Sequence, residues 1–424
     1  MNAVKRRLAP LDRAALAALA ALMVASAPAR AEESFKIAFI DPLSGPFAAV
    51  GELMLAHVQY GVDQVNAKGG MAKGVKLQLL QFDSKLSAQE SQSALQSAID
   101  QGAKVVVTGG SGSTVVAALV DAAAKHNERN PDRPVIVINH SSIDPDLTGK
   151  RCNFWHFQME ANTAMKMKAL ANYIKRQPDI HNVYLLNQDY AHGRQWAKHG
   201  QEMVGLARPD IKFVGSEFTA IGRVKDFAPY VSKVKAAGAD SVITGNWGPD
   251  MTLLLRAAGD TGANLRYFNH SAGAVPGTVT AVSLARMGQL TWVAEWHPGQ
   301  GEVPKAEALA QAFQAKTGKG FLAPRIEVVP HFLVAAAAKA RSLDALKLAR
   351  AMEDLTVDSV VGPLRMRAED HQLLLPQVVN TIAPVDGKTV KVGYEGTNYG
   401  FRTDAVFSGN ELAQGTECKM QRPG

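Results

Sequence analysis

Glycine and hydroxyl residues crowd one stretch of the chain, Gly109-Gly110-Ser111-Gly112-Ser113-Thr114. Glycines let a backbone approach a bound molecule closely, and a helix starting just beyond them offers unpaired N–H groups to an anion. The stretch lacks the Gly-Lys-Ser/Thr ending of a phosphate loop and the spacing of a dinucleotide fingerprint. A serine at position 113 also removes the G-x-S-x-G elbow of a hydrolase. A small carboxylate suits this loop better than a polyphosphate, and a Gly-rich helix start with a Ser cap is the purely structural alternative. Other clusters have similar character. Asp41 to Gly51 carries Phe47 after a Ser44-Gly45 turn, and Asn139-His140-Ser141-Ser142-Ile143-Asp144-Pro145 adds two hydroxyls. Further along come Asp189-Tyr190-Ala191-His192-Gly193, Gly245-Asn246-Trp247-Gly248-Pro249-Asp250 and Asn269-His270-Ser271-Ala272-Gly273. Aromatic and amide side chains of this kind suit a specificity pocket. His192 and His199 share a helix face but lie two turns apart, so zinc is not indicated. No Ser/His/Asp order stands out either. The reading therefore expects a binding site with no catalytic residue, no metal and no cofactor.

These clusters sit where parallel sheets put their ligands. Short apolar runs at 35–40, 75–82, 103–109 and 134–139 alternate with amphipathic stretches at 51–67, 88–101 and 113–126. Near-continuous apolar strands are strands covered on both faces. Strands separated by helices imply right-handed crossovers in a doubly wound sheet. A second series begins after Asp144 to Lys150. Its strands are expected at 153–158, 181–187, 211–218, 240–245, 265–269 and 289–296, with helices at 160–176, 191–205, 224–237 and 249–258 between them. Helices alone follow at 304–316, 325–340 and 343–354, then strands at 362–367, 375–383 and 388–395. In open parallel sheets ligands bind outside the carboxyl ends of the strands, which is where every cluster above falls.

The chain has 424 residues, 46% of them hydrophobic and 20% charged, which is ordinary globular composition. Lys5, Arg6 and Arg7, an apolar run over 14–25, and Ala29-Arg30-Ala31 match a secretory signal peptide cleaved after Ala31. Twelve apolar residues fall short of the ~20 that span a bilayer. Removing 31 residues takes away Lys5, Arg6, Arg7, Arg13 and Arg30 against Asp12, so the net +7 becomes +3 on 393 residues. The electrostatic case for nucleic acid goes with it. Export implies an oxidising compartment, where the only two cysteines, Cys152 and Cys418, are expected to pair. Two separate buried thiols are the alternative.

The clusters together resemble a known family. SGPFAAVG (44–51), the run 62–84, VVTGGSGS (106–113), NHSSIDPDLTG (139–149), NQDYAHG (187–193), the run 218–240, NWGPDMTLLLRAAGDTG (246–262) and VVGPLRM (360–366) are similar to the periplasmic leucine/isoleucine/valine-binding proteins, in order and spacing. These are the solute receptors of ABC importers. The resemblance implies a type I periplasmic-binding-protein fold, two doubly wound α/β lobes joined by three crossover segments and closing like a flytrap. Lobe 1 is then 32–150 plus 299–357, lobe 2 is 151–298 plus 358–395, and 396–424 is an extended tail packed on lobe 2. The Cys152–Cys418 clip would tie that tail to the start of lobe 2. By position, Ser111, Ser113, Ser141 and Ser142 would bind a ligand carboxylate, and Tyr190 and Trp247 would close over it, with Phe47 and Ser271 beside them.

Three departures bear on the ligand. Val50 stands where an aromatic is frequent, and Ile143 near the position of a head-group threonine. Asn269-His270-Ser271-Ala272 occupies a loop in which a glutamate commonly neutralises the α-ammonium of an amino acid. A buried ammonium without counter-charge costs several kcal/mol. Either Asp189 or Asp250 substitutes, or the ligand lacks that ammonium. The expectation is a monomeric, non-enzymatic periplasmic receptor that delivers a small carboxylate of branched-chain amino-acid type to a permease of the inner membrane. Another small acid or amide on the same scaffold, a sensor for a membrane kinase, and a secreted hydrolase are the alternatives.

Overall fold

The computed structural model describes residues 34–286 and 289–424; the signal-peptide segment 1–31 lies outside them. Five strands form the first sheet: β1 (Ser34–Asp41), β2 (Lys76–Asp83), β3 (Val105–Thr108), β4 (Ile136–Asn139) and β5 (His156–Gln158), in the order β2-β1-β3-β4-β5. The pairings β1–β3, β3–β4 and β4–β5 are parallel. The second sheet holds β6 (Asn182–Gln188), β7 (Lys212–Thr219), β8 (Ser241–Ile243), β9 (Arg266–Asn269), β10 (Leu290–Ala294), β14 (Gln377–Pro384) and β15 (Tyr399–Phe407). Its order is β15-β14-β10-β9-β8-β6-β7, parallel from β10 to β7 and antiparallel at β14 and β15. β3 and β4 are buried at every position, as expected of strands with helices on both faces.

The chain passes between the sheets three times: at 159–162, after β10, and around Leu375-Pro376. The helix-only stretch covers the first lobe. Helices Pro324–Glu327 and Val329–Ala340 pack on Ala48–Ala67, and the Phe313 ring of helix Pro304–Thr317 lies tilted against His57 and edge-on to Tyr60. The single helix expected over 325–340 is two pieces, because Pro330 cannot donate its backbone bond.

Several expected boundaries are corrected. His156-Phe157-Gln158 pairs with β4, so the first lobe runs on to 158 rather than ending at 150. The strand is buried on both sides, and the next helix starts only at Thr163, where the Asn162 side chain accepts from the Met165 N–H. Gly362–Met366 (β12) does not return to the second lobe. It lies between β11 (Thr356–Ser359) and β13 (Leu373–Leu374) in a small antiparallel sheet, bridged to β5 through Gln158 and Gln372. Residues 388–395 are turns, not a strand. Asp386 draws the N–H groups of Lys388, Thr389 and Val390 onto one carboxylate oxygen, which curls the backbone out of the sheet. β15 takes the edge place instead.

The tail is therefore not simply extended on lobe 2. After β15 and the helical turn Gly409–Leu412 it crosses to the first lobe, where Thr416 Oγ1 donates to Thr148 and Arg422 pairs with Glu353. Cys152 and Cys418 are bonded, and Cys152 precedes β5, so the clip fastens the tail to the first lobe rather than to the second. The bridge closes 266 residues, for which chain entropy sets a ceiling of roughly 5 kcal/mol. A Cys152→Ser/Cys418→Ser protein should unfold at lower guanidinium concentration by a few kcal/mol at most. An unchanged midpoint would mean that the tail's polar contacts alone hold it.

Candidate functional site

The carboxyl ends of the strands from both sheets meet at one cavity of about 60 Å³, several times the ~10–15 Å³ that accommodates a water. Of the eight residues expected from sequence, Ser113, Ser141, Ser142, Tyr190, Trp247 and Ser271 line it. Two do not. Ser111 turns into the first lobe, where its hydroxyl bonds Ser84 at 2.7 Å. Phe47 sits at the rim, 2% exposed, and packs against Trp247 with ring centroids 4.7 Å apart. Val50, Ile143 and His270, residues of the three departures noted above, do line the wall.

Each lobe reaches across to the other. Tyr190 of the second lobe lies over Gly112 of the first, whose φ of +83° favours glycine; a Cβ there would make an ordinary 3.4 Å contact with the Tyr190 ring. Phe47 presses on Gly248 (φ +61°), where a Cβ would come within 2.7 Å of its ring. Trp247 Nε1 donates to Tyr190 Oη at 2.8 Å, so the tyrosine's own proton is left for another acceptor. Burial pushes the Tyr190 hydroxyl pKa up, so it stays protonated. Helix Ser113–Arg129 begins at the cavity, and its first N–H groups have no intrahelical partner.

Ser141 is held from both sides. Asp41 accepts from the N–H groups of Gly109 and Gly110, and its other oxygen is 2.7 Å from His140 Nε2. His140 Nδ1 is 2.8 Å from Ser141 Oγ, which also accepts from Arg325 Nη2 at 2.9 Å. Asp41, His140 and Ser141 thus form a hydrogen-bonded chain of the residue types used for nucleophilic attack, across a separation that sequence reading passed over. The guanidinium on Ser141 Oγ fastens this hydroxyl rather than freeing it.

The site also contains charges that motif reading missed. Arg325 is 4% exposed, donates from Nε to the His140 carbonyl, and pairs with Glu160 (2.8 Å) and Glu295. Glu160 pairs in turn with Lys166, which reaches the His270 carbonyl at 3.0 Å. Arg325 comes from the helical cover of the first lobe, Glu160 and Glu295 from two of the three crossings, and Lys166 from the second lobe. No motif carries such a set, because its members are scattered over 166 positions. The one available signal was an arginine and two glutamates inside otherwise apolar stretches. Asp189 and Asp250, the proposed substitutes for a missing glutamate, do not face the cavity. Asp189 pairs with Arg194 at 2.6 Å, and Asp250 accepts from Gln188 Nε2 and the Gly222 N–H. Among the described residues no group of three or more His, Cys, Asp or Glu is arranged to hold a metal.

Burial holds the imidazoles of His57, His156 and His192 neutral, with pKa values lowered to about 3; Lys166 adds to the effect at His192. His270 is lowered too, first by burial and then by His192, Lys166 and Arg325. Unfolded histidine titrates near 6.5, so below that pH the unfolded chain binds more protons than the folded one. Stability from these groups is complete above pH 6.5 and declines as pH falls towards 3, by about 1.4 kcal/mol per pH unit for each group once well below 6.5. The raised carboxyls of Asp144 and Asp250 oppose this trend. Urea midpoints should therefore fall from pH 7 to pH 5, where carboxylates contribute least; a flat profile would contradict neutral burial of the histidines.

Two α/β lobes, three chain crossings and a cavity between the lobes define a bilobal solute-binding protein. The comparisons agree. The profile described as "Periplasmic binding protein" matches residues 34–382, and the chain belongs to that family. The Leu/Ile/Val-binding protein homolog 4 of Brucella abortus is 29% identical over 418 residues, covering 96% of this chain and 97% of its own. The crystal structure of a leucine-, isoleucine-, valine-, threonine- and alanine-binding protein from Brucella ovis, in its closed conformation, aligns with a TM-score of 0.80 at 28% identity, over 92% of this chain and all of that one. A Rhodopseudomonas palustris solute-binding protein in complex with benzoate aligns at 0.76 and 15% identity, over 91% and 99%, and shows the shared fold alone. The relatives are solute-binding proteins rather than enzymes.

Proposed function

We propose that this chain is the periplasmic solute receptor of an ABC importer, exported by its N-terminal segment, monomeric, and closing its lobes on a small carboxylate that it hands to an inner-membrane permease. The observation that carries the reading is the cavity built jointly by both lobes, with hydroxyls and a helix start on one side and Tyr190 and Trp247 on the other. A ligand that touches both walls only when the lobes meet shifts the hinge towards the closed state. Branched-chain amino acids, bound by relatives of this chain, and carboxylic acids without an ammonium group both supply the head group. Mass spectrometry of small molecules released from the denatured protein, followed by titration calorimetry with each, tests the reading. A stoichiometric small acid supports it, and no released or titrating acid or amino acid removes it.

The chain Asp41–His140–Ser141 favours ester or amide cleavage as a second reading. It would require Ser141 Oγ to leave Arg325, so the expected result is recovery of the bound molecule at unchanged mass. A cleaved product would revive the hydrolase.

A further inference from the structure

Resting on that receptor reading, we infer that the ligand is a carboxylate without an α-ammonium group, and that the pair Arg325–Glu160 sets this preference. Among the described residues lining the cavity, Glu160 is the only carboxylate. It is already shared by two cations, Lys166 and Arg325, and it is 2% exposed. An ammonium entering here would find its one acid already shared by two cations, and a buried cation without a counter-charge of its own is costly. The other nearby acids are engaged elsewhere. Asp41 holds His140 and two glycine N–H groups, Asp144 accepts from the Asp146 N–H, and Asp250 holds Gln188 and Gly222. His192 and His270 are neutral and supply no negative charge.

A carboxylate meets the opposite conditions. The wall offers the Arg325 guanidinium, the N–H groups at the start of helix Ser113–Arg129, the Ser113 hydroxyl and the unengaged Tyr190 proton. Arg325 has five N–H groups, and the His140 carbonyl, Glu295, Ser141 and Glu160 engage four, which leaves one on Nη1. His270 Nδ1, fully buried, has no hydrogen-bond partner among the described residues. The four paired charges Lys166, Arg325, Glu160 and Glu295 cancel, so a monoanion adds to a balanced site whose local dipoles favour it.

The test compares molecules that differ only in the ammonium: leucine with 4-methylpentanoate and phenylalanine with 3-phenylpropanoate, titrated into full-length exported protein after unfolding and refolding to remove bound solute. At least one acid should bind 100-fold or more tighter than its amino-acid counterpart. An amino acid binding as tightly as its paired acid would overturn the inference and leave the receptor reading intact. No binding by any of the four, with no acid released from the purified protein, would remove both. In Arg325→Gln the acid-to-amino-acid ratio should fall at least tenfold, and Arg325→Lys should restore most of it. A ratio unchanged by Arg325→Gln would reduce Arg325 to a structural part. If that variant does not fold, the wild-type pairs decide alone.

Discussion

Trp247→Ala should weaken ligand binding by roughly 100-fold, in the range of a buried aromatic anchor, while leaving the protein folded. Trp247 is 8% exposed and stands between β8 and helix Pro249–Asp260, on the cavity wall. Its ring meets Phe47 of the opposite lobe, and its N–H orients Tyr190. Alanine therefore removes three things at once: a wall of the cavity, the aromatic contact that closes the rim, and the donor that leaves the tyrosine proton free. All three belong to the closed state, so the loss should fall on affinity and far less on the unfolding midpoint. Calorimetric titration alongside thermal unfolding separates the two. Unchanged affinity would place the pocket elsewhere.

Glu160→Gln should cost stability instead, by about 3–5 kcal/mol, the range for breaking a buried ion pair from one side. The substitution leaves Lys166 and Arg325 with only Glu295 to balance them, and Lys166 is 1% exposed. The double variant Glu160→Gln/Lys166→Met removes one cation with the anion and should recover part of the loss. That recovery distinguishes a charge effect from damaged packing, because packing changes would add rather than offset. Urea denaturation of both variants measures it. A double variant less stable than Glu160→Gln by the full cost of a second lesion would contradict the ionic account.

The alternating architecture was legible because both of its elements are local. IVIN and VVVT are β-branched and apolar throughout, the amphipathic stretches between them are long enough to cross over, and each expectation is decided within about ten residues. Errors fell where partner choice governs. The 153–158 run could extend either sheet, and only pairing with β4 assigns it to the first. The run 388–395 has strand composition, but one carboxylate, Asp386, captures three successive N–H groups and turns it. Pairing of Cys152 with Cys418 followed from compartment and count, whereas the lobe to which it ties the tail depended on where the tail turned.

Within the site the same division holds at the scale of single residues. Composition and order were enough to say which loops gather around the cavity, since those loops follow strands and open helices. They could not say that Ser113 faces the cavity while Ser111, two residues earlier, bonds Ser84 inside the lobe. Nor could they bring Arg325, Glu160, Glu295 and Lys166 together, or set Asp41 beside His140 across 99 positions. Strand runs and helix starts depend on neighbours along the chain, and so can be read from residue order. The charge balance of the cavity depends on which side chains two closed lobes bury against each other, and that balance decides which head group the cavity favours.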